Sequence, residues 1–213
     1  MKKLFLFAAV SFLVTGAFAQ SEKYVASMKS NIAAIDSSFK NPQNLLDLAN
    51  KFERIATAEK TQWLAYYYAA YCQVNYIYME KDKSKIDAVA DKATELIDKA
   101  DALQPNNSEI SCIKSMIASA HMMVNPMQRF QEYGPEAASF IEVAMKQDAT
   151  NPRPEYLQGQ GLKYTPGQFG GGCVTAKPVL QSSLVKYNTF KPASDIHPNW
   201  GKQRVEMLIG ECK

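Results

Sequence analysis

Apolar residues recur at intervals of three and four along most of this chain, and the interruptions fall at proline, glycine and asparagine. That period predicts amphipathic helices bounded by turn residues. The spans are 22–38, 43–58, 61–80, 84–103, 107–124, 134–148, 153–164, 174–187 and 199–212, about nine helices in all. No stretch alternates as a half-buried strand does. The aromatic run WLAYYYAAYCQVNYIYM, Trp63 to Met79, contains residue types that favour strands, but it is too long without a turn residue to be one. The fold class is therefore all-α.

Ahead of the first helix the chain reads MKKLFLFAAVSFLVTGAFAQ: two lysines, an apolar run, then Ala17-Phe18-Ala19. This is the order of a secretory signal, and its apolar part is too short for a permanent anchor. The expected organisation is a signal peptide at 1–19, cleaved after Ala19, and a single helical domain at 20–213. The protein is then periplasmic or secreted. The first cysteine is Cys72, so no lipid attachment follows the cut. With 46% apolar residues the chain has ample material for a core. Its net charge of +3 comes from interspersed signs, with no basic stripe, so nucleic acid is not an expected partner.

The helices repeat. Ala93, Ile97 and Ala100 in the fourth span return as Ala137, Ile141 and Ala144, and again as Ala176, Leu180 and Ser183. Small residues at the ends of each triplet let a neighbouring helix approach, and the large one between them fills the gap. The copies lie 44 and 39 residues apart, a helix-pair period. With the Pro105-Asn106-Asn107 ending, this pattern resembles the second helix of a tetratricopeptide (TPR) unit. Trp63 and Gly159 stand where that family's first helix carries tryptophan and glycine, whereas Ser115 and Ala118 are weaker substitutes. The units exceed the family's usual length of about 34 residues, and the excess is expected in loops at 125–134 and 165–173. The resemblance spans roughly 61–187 and implies a right-handed solenoid of antiparallel helix pairs. YTPGQFGGG together with HPNWGK is also similar to a group of small secreted bacterial helical-repeat proteins.

Candidate chemistry changes this picture little. Gly167-x4-Gly172 has the glycine spacing of a phosphate-binding loop, but Cys173-Val174 follow where lysine and a hydroxyl residue are needed. The stretch reads as a corner between two helices. Four cysteines allow three pairings. Cys173 opens one predicted helix and Cys212 closes the next, so they meet if those helices are antiparallel; Cys72 and Cys112 read as either a second pair or buried thiols. His121, Met122 and Met123 offer soft ligands for copper(I), although Asn125-Pro126 separates Met127 from them. Asp195-x-His197 has no accompanying nucleophile, and His197-Pro198 reads as the entry to the last helix. No catalytic motif emerges, so the protein is not expected to be an enzyme, and no cofactor is expected.

The TPR resemblance implies a partner surface on the concave side of the first helices. Aligned on Trp63, that surface takes in Tyr68 and Tyr71; aligned on Gly159, it takes in Arg153, Tyr156, Gln160, Lys163 and Tyr164. Tyrosines at helical spacing suit a binding groove and equally suit a thick helix interface. The expected function is an exported, non-enzymatic scaffold that binds an envelope protein or peptide. The alternative is an accessory protein for a small molecule or glycan, with copper handling a more distant third.

Overall fold

The computed structural model describes residues 22–212, and the signal-peptide expectation lies outside them. Ten α-helices and no strand occur among the described residues. Helix α1 covers 22–33 and is followed by α2 (Ile35–Ser38), α3 (Pro42–Ala58), α4 (Trp63–Met79) and α5 (Ile86–Leu103). Then come α6 (Ser108–Val124), α7 (Pro126–Gln147), α8 (Arg153–Tyr164), α9 (Cys173–Thr189) and α10 (Lys202–Glu211). The starts are set by local chemistry. Asn41 and Asn107 cap α3 and α6 by accepting from the amides of Gln43 and Glu109, and Pro42 and Pro126 occupy first-turn positions that need no donor.

From α2 onward each helix packs on the next in the chain, and α6 also packs on both α4 and α8. This is the contact order of a helical repeat. The triplets read from the sequence supply its seams: Ala93, Ile97, Ala100, Ala137, Ile141, Ala144, Ala176, Leu180 and Ser183 are all buried. Gly159 of α8 faces the same seam, where an added Cβ would lie 2.7 Å from the Leu180 side chain. Helix α4 is central. It packs on α3, α5 and α6 and buries 13 of its 17 residues, as a helix that is apolar on every side must.

Two expectations change. The span 125–134 is helix rather than loop, because Asn125 accepts the first backbone bonds of α7 and its opening turns are held against neighbouring helices. Arg129 bonds to both carboxylate oxygens of Asp87, and Tyr133 stacks on His121. Pro135 is accommodated inside α7. The first span is broken at Ala34. The glycine-rich stretch is the corner between α8 and α9: Gly170 and Gly172 have φ of +81° and +92°, and Gly172 donates back to the Leu162 carbonyl.

Candidate functional site

The ends of the helices are not equivalent. One end is crossed by the α9–α10 connection, residues 190–201, in which Pro192 and Pro198 prevent regular helix. Residues of four helices tie it down. Asp195 accepts from Lys29 at 2.6 Å, Ile196 enters the core, and the Trp200 indole donates to the Tyr67 hydroxyl at 2.8 Å. The Tyr187 hydroxyl donates to the Trp200 carbonyl at 3.0 Å, and Arg153 donates to the Pro198 carbonyl at 2.7 Å.

Beneath this strap Arg153 has no exposed surface. A buried guanidinium demands a partner and satisfied donors, and it finds the Glu109 carboxylate at 2.8 Å. Phe190, Trp200 and Tyr187 surround the cation, with ring centres 4.9, 5.0 and 5.9 Å away. Burial pushes the Glu109 carboxyl up from its ordinary value, while Arg153, Tyr67 and Asn151 pull it back. Burial works against the Arg153 charge, but Glu109 together with Tyr187, Tyr67 and Cys112 more than offsets it, and the guanidinium stays protonated. Its Nε is buried without a partner.

Beside the pair lies a cavity of about 450 Å³, lined by Glu109, Asp148, Phe190, Lys191 and His197 among others, with Pro192 and Pro198 adding apolar wall. That volume suits a small-molecule ligand. His197 is half-buried, its ring edge-on to Trp63. Its Nδ1 lies 2.7 Å from the Ser194 hydroxyl, and burial lowers its pKa, which favours the neutral imidazole at neutral pH. Nε2 has no hydrogen-bond partner among the described residues.

The expected partner surface is not gathered into one face. Tyr68, Tyr71 and Tyr156 are buried at 2%, 6% and 8% exposure. Tyr68 and Tyr71 are used in packing, because α4 is enclosed by α3, α5 and α6. Arg153 is an internal ion-pair partner, with nothing to offer a peptide at the surface. Gln160 is half-buried with its amide oxygen unpaired, Lys163 pairs with Glu211, and the exposed Tyr164 hydroxyl accepts from Arg204. Arg153 and Tyr164 begin and end α8, about 16 Å apart at a helical rise of about 1.5 Å per residue. His121 is directed to Asp87 at 3.0 Å and to Asp91 at 3.7 Å, whereas Met127 is 88% exposed. Cys173 and Cys212 are joined. Cys72 and Cys112 are free, with burial pushing both thiols well up.

Glu109, Phe190 and Lys191 carried no signal in the sequence, and His197 read only as a helix entry. The aperiodic run KPASDIHPNW, with two prolines, was the available cue to an unusual connection.

No protein-family model and no curated protein sequence matches the chain. Among solved structures, however, the chain matches a protein of known structure. That protein is the HusA haemophore from Porphyromonas gingivalis, which superposes with a TM-score of 0.80. It is 38% identical in sequence over 89% of this chain and 92% of its own. The chain belongs to the family of the HusA haemophore. No helix among its described residues is long and apolar enough to cross a membrane.

Proposed function

We propose that this protein is an exported haem carrier. The observation that carries the reading is the 38% identity, over nearly the whole of both chains, to a protein described as a haemophore. The small-molecule alternative raised by the sequence thus takes precedence over a peptide cargo. The envelope partner expected from the sequence becomes the acceptor of the cargo. Burial of the α4 tyrosines supports this order of readings, because it removes the aromatic groove a peptide would have used.

Export is supported by the signal-like order of residues 1–19 in the sequence and by the disulfide between Cys173 and Cys212, a linkage suited to an oxidising compartment. The sequential helix contacts and the buried triplets support a TPR-like solenoid. A carrier holds its cargo unchanged, so a non-enzymatic role follows from the same reading.

The test is titration of the mature protein with haemin at neutral pH, followed by absorbance and by thermal melting. The expected result is a saturable change in the Soret band with a stoichiometric end point, and a melting temperature that rises with haemin concentration by mass action. An unchanged Soret band with an unmoved melting temperature overturns the proposal.

A further inference from the structure

We propose that the end of the molecule opposite the strap is a docking surface for an anionic lipid bilayer, on which the protein rests without inserting a helix. This concerns a different part of the chain from the strap and does not depend on the cargo.

Topology defines the two ends. Successive helices joined by short connections run antiparallel, so the connections alternate between one end and the other. The strap meets Trp63 at the start of α4 and Arg153 at the start of α8, so the α3–α4, α5–α6 and α7–α8 connections share its end. The α2–α3, α4–α5, α6–α7 and α8–α9 connections lie at the other. Asp87 and Arg129, early in α5 and α7, tie two of them together there.

The two ends differ in chemistry. Phe39, Met127, Phe130, Tyr164, Phe169 and Val174 lie in or beside the far connections, with exposures from 38% to 91%. Among the described residues, none of the exposed large apolar side chains falls in 59–62, 104–107, 148–152 or 190–201. Single exposed apolar residues are normal on a protein surface, whereas a set gathered at one end marks an interaction site. The glycine-rich corner contributes directly. Nothing lies within 4 Å of a Cβ built on Gly170 or Gly172, so close packing does not account for these glycines. Their positive φ does, because it turns the chain back immediately after the short 3₁₀ turn Gly167–Phe169 and leaves the Phe169 ring 67% exposed at the tip.

Charge selects the partner. Lys40, Lys81 and Lys83 are exposed at the same end and form no ion pair among the described residues. The acidic residues interleaved with them are engaged locally. Glu80 accepts from the Tyr76 hydroxyl and from the amides of Lys81 and Asp82, Asp82 accepts from Ser84, and Lys85 pairs with both. The exposed carboxylates of Asp36 and Glu132 stand back from the tips by about a helical turn or more. Apolar and aromatic tips with uncompensated lysines fit the boundary of an anionic bilayer, where rings enter between acyl chains and headgroups while ammonium groups meet the headgroup charge. The tips project from three separate connections, a layout that suits a plane better than a peptide groove.

The test is co-sedimentation of the mature protein, without haemin, with phosphatidylglycerol-containing vesicles and with pure phosphatidylcholine vesicles. Three variants accompany it, each checked by helical circular dichroism: Phe169→Ser with Val174→Ser, Lys40→Gln with Lys81→Gln and Lys83→Gln, and a strap-end control, Lys60→Gln with Lys191→Gln. All seven positions are exposed, so the folded core is untouched. The expected result is binding to the anionic vesicles alone, weakened at about 0.5 M salt. The triple lysine variant should bind about tenfold more weakly or worse, the Phe169/Val174 variant about fivefold more weakly, and the control like wild type. A wild-type protein that stays in solution with anionic vesicles overturns the lipid surface as partner. A control that loses as much as the lysine variant overturns the location, and full binding by the Phe169/Val174 variant overturns the role of the apolar corner.

Discussion

Arg153 holds its charge at zero exposure because Glu109, the Pro198 carbonyl and three aromatic rings replace the water it has lost. A methionine fills similar space but leaves the Glu109 carboxylate uncompensated. Arg153→Met is therefore expected to lower unfolding stability by about 3–5 kcal/mol, the range for breaking a buried pair from one side. Arg153→Met combined with Glu109→Gln should recover much of the loss, since the second change removes the orphaned charge. Denaturant unfolding of the three proteins measures this, and a double variant no more stable than the single one would exclude charge desolvation as the cause. None of this was legible in RPEY, the start of α8. Glu109 lies 44 residues away and the aromatic cage comes from the far side of α9, so no local spacing records the association. The TPR resemblance, aligned on Gly159, placed Arg153 on a partner surface, and a surface is also the usual location for arginine.

At the scale of elements, the helices and their seams were readable because both follow from periodicity. The buried triplets on α5, α7 and α9 repeat at fixed offsets, and the capping asparagines mark starts that sequence can show. The first half of α7 was not readable. Gly134 and Pro135 are breakers in isolation, and the contacts that keep the helix going, Arg129 to Asp87 and Tyr133 to His121, are long-range. The strap was equally opaque, since its structure comes from what it touches and has no period of its own. Helix α10 illustrates the same dependence. It has ten residues and buries only Val205 and Leu208, too little for a helix of that length to persist unaided. The bond between Cys173 and Cys212, 39 residues apart in sequence, fixes it to the start of α9. Replacing both cysteines with serine is expected to cost up to about 4 kcal/mol and to expose α10 to proteolysis while α3–α6 remain resistant. Identical melting temperatures and digestion patterns for the two proteins would refute that role.

For the whole molecule, the buried apolar residues form two clusters rather than one. The larger runs from α1 through α6 and includes Ile196 from the strap; the smaller consists of Tyr156, Ala176, Leu180, Tyr187, Val205 and Leu208. Leu157 and Trp200 touch both. Trp200 is the stronger tie, because its ring meets Tyr71 at 4.9 Å and Tyr156 at 6.1 Å while its indole N–H bonds to Tyr67. In repeat architectures stability is a sum of unit and interface contributions, so a weak interface lets one end open while the rest stays folded. The α8–α10 segment has the smaller cluster and should open first. Native-state hydrogen exchange should show α9 and α10 amides exchanging through openings of lower free energy than those of α4 and α6. Trp200→Ala should widen that gap, with a total loss in the range of about 3–5 kcal/mol for a truncated core aromatic. Uniform protection in both proteins would mean that the two clusters unfold as one, and that the strap and its cavity are as rigid as the central helices.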